Sequence, residues 1–222
     1  MARTDPNAKK GPKTYEIVVG AILSLLLGVF LAAVYMVTTP VEVVDEMPDS
    51  PDSTKVYYVT GDAGEQPLQW SQKLGALTSG TWSGAFPVSE QELNQWAQSA
   101  FAESNGSGED GTFVVTPGTP NFRLYGERIQ VGADLEYSVF GFGQTIKSQA
   151  HGQIIEKGGR FVFEPHELHL GSLPIPRAGG LSSLVFNRLR ESFEVSEELK
   201  QGWERVSYAA VDESVLRIEL PE

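Results

Sequence analysis

The longest run of uncharged, mostly apolar positions covers residues 17–37 and predicts a membrane-spanning helix. At about 1.5 Å of rise per residue, a helix of that length spans roughly 31 Å, close to the hydrocarbon core of a bilayer at about 30 Å. Tyr15 and Tyr35 stand near its two ends, where amphipathic rings favour the headgroup level. A cleaved secretory signal is the alternative, but the apolar core of such a signal usually has only about 7–15 residues. The pattern therefore favours a retained signal anchor.

The charges on the two sides of this run predict its orientation. Residues 1–16 contain four lysines or arginines, whereas residues 38–54 contain five acidic residues and no basic one. Because basic segments stay on the cytoplasmic side, residues 1–16 are expected to form a cytoplasmic leader. We expect a single-pass protein of the cytoplasmic (inner) membrane whose C-terminal part lies outside. Residues 38–54 then form an acidic, proline-containing stalk, and residues 55–222 form one extracytoplasmic domain.

Small residues recur at every fourth position of the apolar run, at Gly20, Ser24, Gly28 and Ala32. Such a stripe lets a second helix approach closely in lipid, where packing drives helix association. It predicts contact with a partner helix or a homodimer. Small residues are also common in unpaired anchors, so a helix without a partner stays the simpler interpretation.

A helical period follows a strong start signal near residue 89. Ser89 and Glu92 have the spacing of a capping box. Apolar residues then follow at the spacing of one helical face, namely Leu93, Trp96, Ala97, Ala100 and Phe101. Weaker signals predict a short helix after Pro67, a helix after residue 180 and another after Ser196.

Residues 128–139 alternate between apolar and polar side chains and predict a long antiparallel strand with one buried side. A bend or bulge is expected at Gly132 or near Gly141 and Gly143, because the strand is about twice the usual length. Residues 156–160 predict a hairpin turn, and residues 206–220 are expected to close the sheet. The fold class predicted is α+β: one N-terminal transmembrane helix, and a curved, mostly antiparallel sheet packed with two or three helices.

Composition excludes several functions. The formal net charge of the chain is −12, which argues against binding nucleic acid. Cysteine is absent, so disulfides, thiolate chemistry and cysteine-ligated metals are excluded. His166 and His169 have a spacing that points two side chains of one strand to opposite faces, which disfavours a metal pair. The sequence also has no phosphate-binding glycine loop and no nucleophile elbow, so we expect neither catalysis nor a cofactor.

Bulky apolar side chains on the predicted strands could line a groove for an acyl chain. The candidates for that lining are Ile129, Val131, Leu135, Tyr137, Phe161 and Phe163. The alternative is an ordinary packed core, in which Trp96, Phe101, Leu184 and Phe193 fill the same sheet face. The alternation of the strand suits both interpretations.

Three segments carry a resemblance to a known family: residues 88–96 (VSEQELNQW), residues 168–176 (LHLGSLPIP) and the closing strand with VSY at 206–208 and VLRIEL at 215–220. In their order, with paired long strands between them, they resemble the bacterial YpmS-like group of single-pass envelope proteins. That group is similar in pattern to tubular lipid-binding domains, in which a long helix lies in a highly curved antiparallel sheet. The resemblance implies lipid binding and brings no catalytic residue. A membrane-anchored assembly subunit that acts through protein contacts is the alternative.

Overall fold

The computed structural model describes residues 13–64, 70–79, 83–101, 113–139, 142–177, 180–191, 193 and 195–221. The chain divides into two compact units, Met1–Met36 and Val37–Glu222. Most of the predicted leader and the Gly- and Ser-rich residues 102–112 lie outside the described residues. The α+β class is confirmed, with one apolar N-terminal helix and a domain rich in sheet.

The N-terminal helix, α1, covers Thr14–Thr38 and therefore contains the whole predicted span. Its mean hydropathy over an 18-residue window is 2.9, so it is long and apolar enough to cross a membrane. Glu16 accepts a hydrogen bond from the Lys13 backbone N–H at 2.9 Å, which caps the first turn. A Cβ added at Gly20 or Gly28 would meet no atom of the described chain within 4 Å, so this face of the helix is open.

The helices of the second unit are α2 (Trp70–Ser79), α3 (Glu90–Phe101), α4 (Leu181–Glu191) and α5 (Glu197–Glu204). Each lies near a helix signal in the sequence, but there are four among the described residues of this unit, whereas two or three were expected to pack on the sheet. Ser89 and Glu92 form the predicted capping box: the Ser89 N–H donates to Glu92 Oε2 at 2.9 Å, and the Glu92 N–H donates to Ser89 Oγ at 3.3 Å. Ser196 caps α5 by accepting from the Leu199 N–H at 3.3 Å.

The strands of the second unit are β1 (Glu42–Val44), β2 (Tyr57–Val59), β3 (Gly84–Val88), β4 (Phe113–Pro117), β5 (Asn121–Tyr125), β6 (Arg128–Val139), β7 (Phe142–Lys157), β8 (Arg160–Leu170), β9 (Leu173–Pro174), β10 (Tyr208–Asp212) and β11 (Val215–Leu220). The predicted long strand is β6, with the predicted bounds. The β7–β8 turn consists of Gly158 and Gly159, both at positive φ, as a tight hairpin requires.

The large sheet is six-stranded and antiparallel, in the order β4-β6-β7-β8-β9, with β5 also paired to β6. Gly141, at the second of the two expected positions, lies outside the described residues. The register of β6 with β7 is unbroken from Ile129 to Val139, so the pair has no bulge at Gly132 or Gly143. A bulge lies instead between β7 and β8, where Pro165 pairs with Gly152 and Glu167 with His151. His166 is the extra residue, so the phase of β8 shifts by one.

This bulge has a consequence for the inner face of the sheet. Phe163 pairs with Ile154 and Leu168 with Ala150, so odd positions before the bulge and even positions after it share one face. The expectation that His166 and His169 point to opposite faces assumed a regular alternation along the strand. The bulge at His166 interrupts that alternation in β8.

Residues 206–220 were expected to close the large sheet, but they do not. They form the hairpin β10–β11, which pairs with β3 in a separate three-stranded sheet. β3 was not predicted, because its sequence contains Pro87 and begins at Gly84, and both residues disfavour strands. The main core lies where this small sheet faces the large one, with Val88, Leu216 and Ile218 among its buried members.

The segment interpreted as a stalk is partly folded. β1, inside residues 38–54, pairs in parallel with β2, and the Lys55 ammonium lies 2.7 Å from Glu42 Oε2. Arg123 of β5 donates to the Asp45 carbonyl at 2.9 Å. Val43 and Val44, which have strand composition, therefore pair with Tyr58 and Val59 and place this part of the segment on the domain as a short sheet.

β6 was predicted to bury one side, but it is buried on both sides at its centre. Gln130 is only 2% exposed, and its Nε2 donates to the Val59 carbonyl of β2 at 2.8 Å. The ring of Tyr58 lies where a Cβ of residue 132 would stand, so Gly132 leaves the space that β2 needs to cross the sheet. The outer face of the large sheet is thus covered by β2 at this point.

Candidate ligand cavity

An apolar cavity of about 150 Å³ lies between α3, α4 and the inner face of the large sheet. Its lining residues are Trp96, Phe101, Pro120, Phe122, Val131, Ala133, Ser148, Gln149, Ala150, Leu168, Phe186, Leu189, Arg190, Phe193 and Val195. Nearly all of the lining is hydrocarbon. Such a surface gains by excluding water and accepting an apolar group.

The sheet wall of the cavity is made by alternate residues of β6, β7 and β8. Val131 pairs with Ala150, which in turn pairs with Leu168, so the three side chains lie across one face. Ala133 and Ala150 are short, and they leave room that larger residues would fill. Ser148 is the polar residue beside them, and its hydroxyl is already used, since it donates to the Ala133 carbonyl at 2.9 Å.

Aromatic rings from α3 and β5 form the second wall. Trp96 packs against Phe122 and Phe101, with ring centroids 6.0 and 5.7 Å apart. Phe101 meets Phe193 edge to face at 5.7 Å. These are favourable aromatic geometries, so the rings stabilise one another within the wall.

Asn94 fixes α3 against β5 and thereby positions the aromatic wall. It is 1% exposed, and its amide nitrogen donates to the carbonyls of Phe122 and Asp62 at 2.8 and 3.0 Å. Its amide oxygen accepts from the Phe122 N–H at 2.7 Å. Because β5 is bonded to α3 at this position, Phe122 is held beside Trp96.

α4 closes the third side with Phe186, Leu189 and Arg190. Phe186 packs on Phe163 of β8 at a centroid distance of 5.3 Å. Leu184, two residues before Phe186, is 66% exposed and takes no part in the lining. α4 therefore covers the cavity with one face only.

The sequence-predicted groove residues are distributed between cavity and core. Val131 lines the cavity, whereas Ile129 belongs to the core and Leu135 is buried elsewhere. Phe161 and Phe163 pack against the core. The hydroxyl of Tyr137 donates to Gln144 Oε1 at 3.1 Å, outside the lining.

Three of the four residues expected to form a packed core instead line the cavity. Trp96, Phe101 and Phe193 do lie on the sheet face, but they stand as walls of the cavity rather than filling it, and Leu184 is exposed. Phe122 and the α4 residues were not predicted as lining. The helical spacing of Phe186, Leu189 and Phe193 was the available signal for the latter.

A second, polar cleft of about 460 Å³ lies at the opposite side of β6. It is lined by Tyr58, Thr60, Thr116, Pro117, Gly118, Thr119, Asn121, Asp134, Glu136 and Lys147. The Lys147 ammonium lies 2.6 Å from Asp134 Oδ1 and 4.8 Å from the centroid of the Tyr58 ring. Burial raises the pKa of Tyr58, so its hydroxyl stays neutral. With its carboxylate and ammonium paired, this cleft suits water better than an apolar ligand.

Two histidines lie on the outer face of the large sheet. The Tyr125 hydroxyl and His151 Nδ1 share a hydrogen bond of 2.8 Å, and Arg128 of β6 and Glu167 and His169 of β8 act on His151 electrostatically. Among the residues that the structure describes, no three histidine, aspartate or glutamate side chains form a group that could hold a metal. Burial is the largest cause that lowers the pKa of both His151 and His169, and Glu167 opposes it in each case.

These shifts predict that the folded state becomes less stable as the pH falls from about 7 to about 5. The folded pKa of each histidine lies below its unfolded value of about 6.5, so the unfolded chain binds more protons in this interval. The stabilisation is complete above about pH 6.5 and is lost as the pH decreases below it. Urea unfolding of the full-length chain at several pH values measures this slope.

His151→Gln and His169→Gln should each make that slope shallower, because each removes one group that binds a proton on unfolding. A slope that is unchanged in both variants would show that other groups cause the acid sensitivity.

The chain was compared with known proteins in three ways. No protein-family model matches it, no curated protein is similar to it, and no solved structure matches its fold. The function is therefore inferred from the cavity and from the residues around it.

Proposed function

We propose that this chain is a non-catalytic, single-pass protein of the bacterial cell envelope that binds the hydrocarbon part of a lipid in its external domain. α1 serves as the membrane anchor, with residues 1–16 in the cytoplasm and the second unit outside the inner membrane. The length and hydropathy of α1 support the anchor, and the charge difference across it supports the orientation. The resemblance to YpmS-like and tubular lipid-binding proteins agrees with this function.

The cavity is the observation that carries the proposal. Its volume of about 150 Å³ equals that of an apolar protein cavity known to stay dry and to bind benzene. Ligand sites for larger molecules usually measure about 300–1,000 Å³. A cavity of this size therefore accepts a short part of an acyl chain, and the remainder of the molecule extends beyond it. We propose that the large sheet curves around this site.

An assembly subunit is the second candidate, favoured by two observations. The aromatic rings of Trp96, Phe101 and Phe193 occupy much of the inner sheet face, so the remaining space is small. The stripe of small residues on α1, namely Gly20, Ser24, Gly28 and Ala32, would let a partner helix approach closely. In this case the external domain acts through its surface and needs no ligand.

Photolabelling in a membrane tests the proposal. The full-length chain is placed in phosphatidylcholine nanodiscs with a fatty acid that carries a diazirine in the middle of its chain, and labelled peptides are mapped by mass spectrometry. We expect labels on α1 and on the lining segments 120–133 and 148–150. Ala150→Leu places an isobutyl group in the cavity and should reduce the domain label by about tenfold or more, whereas the α1 label stays constant.

Ala100→Leu is the matched control, because it adds the same atoms at an exposed position of α3. It should leave both labels unchanged. Labelling confined to α1 would contradict the lipid-binding function and favour the assembly subunit. Absence of label on α1 would contradict its role as the anchor.

A further inference from the structure

We infer that the cavity takes a single-chain amphiphile with an anionic head group, a carboxylate or a phosphate, which Arg190 binds at the cavity mouth. This inference rests on the proposed function, because it assigns the chemical class of the ligand at the same site. The apolar lining of the cavity accounts for the hydrocarbon part of the ligand, and the exposed guanidinium of Arg190 accounts for the head group.

Arg190 is the only charged side chain among the described residues that line the cavity. It lies in the last turn of α4, beside Leu189, while its own backbone carbonyl accepts from the Phe193 N–H at 3.2 Å. The side chain is exposed, so its guanidinium has access to solvent at the edge of an apolar lining. A long cationic side chain in this position can contact both a hydrocarbon chain and a polar head.

Arg190 also differs from the other cations of the chain. Every other lysine or arginine of the described residues has a partner, either a carboxylate, a carbonyl, a hydroxyl, an imidazole or an aromatic ring. Within that part of the chain, Arg190 has none. In a chain with a net charge of −12, a cation that forms no ion pair with any carboxylate of the described residues is a departure from the general pattern.

Arg188 is an arginine of the same helix that does not line the cavity, and it serves as a comparison for Arg190. It lies on the same helix and carries the same charge, but it is directed to Glu191, with Nη1 3.5 Å from the carboxylate, and it does not line the cavity. Comparing variants of the two arginines therefore distinguishes the effect of a positive charge in the cavity lining from that of a positive charge elsewhere on α4.

The size of the cavity explains why the head group lies at the mouth. A volume of about 150 Å³ holds only about six carbon atoms, as for benzene. A guanidinium forms two parallel hydrogen bonds with a carboxylate or a phosphate, and these bonds are stronger than neutral ones. A neutral lipid head group cannot form this charged pair of hydrogen bonds with the guanidinium. Arg190 thus selects among amphiphiles that bury the same hydrocarbon.

The experiment uses the full-length chain in phosphatidylcholine nanodiscs and three probes with the same hydrocarbon chain: a carboxylic acid, a phosphate monoester and a neutral alcohol. Each carries its diazirine within about the first six carbon atoms, the length that the cavity holds. The label on the domain is normalised to the label on α1, which corrects for partition into the bilayer. We expect one or both anionic probes to label the cavity segments about fivefold to tenfold more than the alcohol. The stronger of the two identifies the head group. The preference should decrease with added salt, since Arg190 is exposed.

Arg190→Gln should remove the preference and leave the labelling by the alcohol unchanged. Arg190→Lys should keep part of it, because the charge remains but the two parallel hydrogen bonds do not. Arg188→Gln is the matched control and should keep the full preference. Equal labelling by all three probes, or a preference that survives in Arg190→Gln, would overturn this inference alone. Failure of every probe to label the cavity segments would instead overturn the proposed function.

Discussion

Replacement of Asn94 by alanine is expected to lower the free energy of unfolding by about 3 kcal/mol. The side chain is 1% exposed and bonds the N–H and the carbonyl of Phe122 and the carbonyl of Asp62. Alanine would leave the partly buried N–H and carbonyl of Phe122 without these partners, and each unsatisfied buried group costs about 1–3 kcal/mol. Part of the loss is recovered if water enters the space. Urea unfolding of the full-length chain, monitored by tryptophan fluorescence, measures the change.

Gln98→Ala on the same helix is the control, because Gln98 is exposed and loses a side-chain amide of the same kind. Its effect should be within about 0.5 kcal/mol. If both variants lost the same small amount, the buried amide network of Asn94 would not be what holds α3 on β5.

The same change is expected to affect the cavity. Asn94 joins α3 to Phe122, and Phe122 faces Trp96 across the aromatic wall. Since the wall depends on the position of α3, loosening of this joint should lower ligand labelling even in the fraction that stays folded. Stability and binding are thus coupled through one residue that does not line the cavity.

Elements with local signals were predicted well from the sequence. The capping box of Ser89 and Glu92 specifies where α3 begins, and the alternation of residues 128–139 specifies β6. The Gly158-Gly159 turn fixes the β7–β8 hairpin, because both residues must take positive φ. In each case the information lies within a few consecutive residues.

Features that depend on distant partners were not predicted. β1 becomes a strand only because β2, more than ten residues later, pairs with it. β3 joins the C-terminal hairpin, although Pro87 and Gly84 oppose strand formation, because β11 supplies a partner edge. The bulge at His166 depends on β7, where a Cβ at position 152 would collide with the Glu164 carbonyl.

The candidate site shows the same division. Alternation correctly places Ile129 and Val131 on one face of β6, but it does not tell which element packs on each residue along the strand. Ile129 lies under the small sheet and becomes core, while Val131 lies under α3 and α4 and becomes lining. The small residues Ala133 and Ala150, which create the space, have no distinctive sequence signal.

Lys73→Met is the second substitution with a large expected effect, again about 3 kcal/mol of unfolding free energy. The ammonium of Lys73 in α2 lies 2.6 Å from Glu92 Oε1, and the two side chains are only 18% and 5% exposed. Removal of the lysine leaves a buried carboxylate without its counterion, which is costly at low dielectric constant. Glu92 still accepts from the Ser89 N–H, so the loss falls at the lower end of the usual range.

Lys200→Met provides a control with the same interatomic distance. Lys200 lies 2.6 Å from Glu197 Oε1, but these side chains are 54% and 76% exposed. An exposed pair is worth less than about 0.5 kcal/mol and weakens in salt, because water already solvates both charges. Burial, and not the distance, should therefore separate the two variants. In the double variant Lys73→Met with Glu92→Gln, stability should recover in part, since no charge is left buried. Equal losses for Lys73→Met and Lys200→Met in urea unfolding would show that the junction of α2 and α3 is solvated in solution.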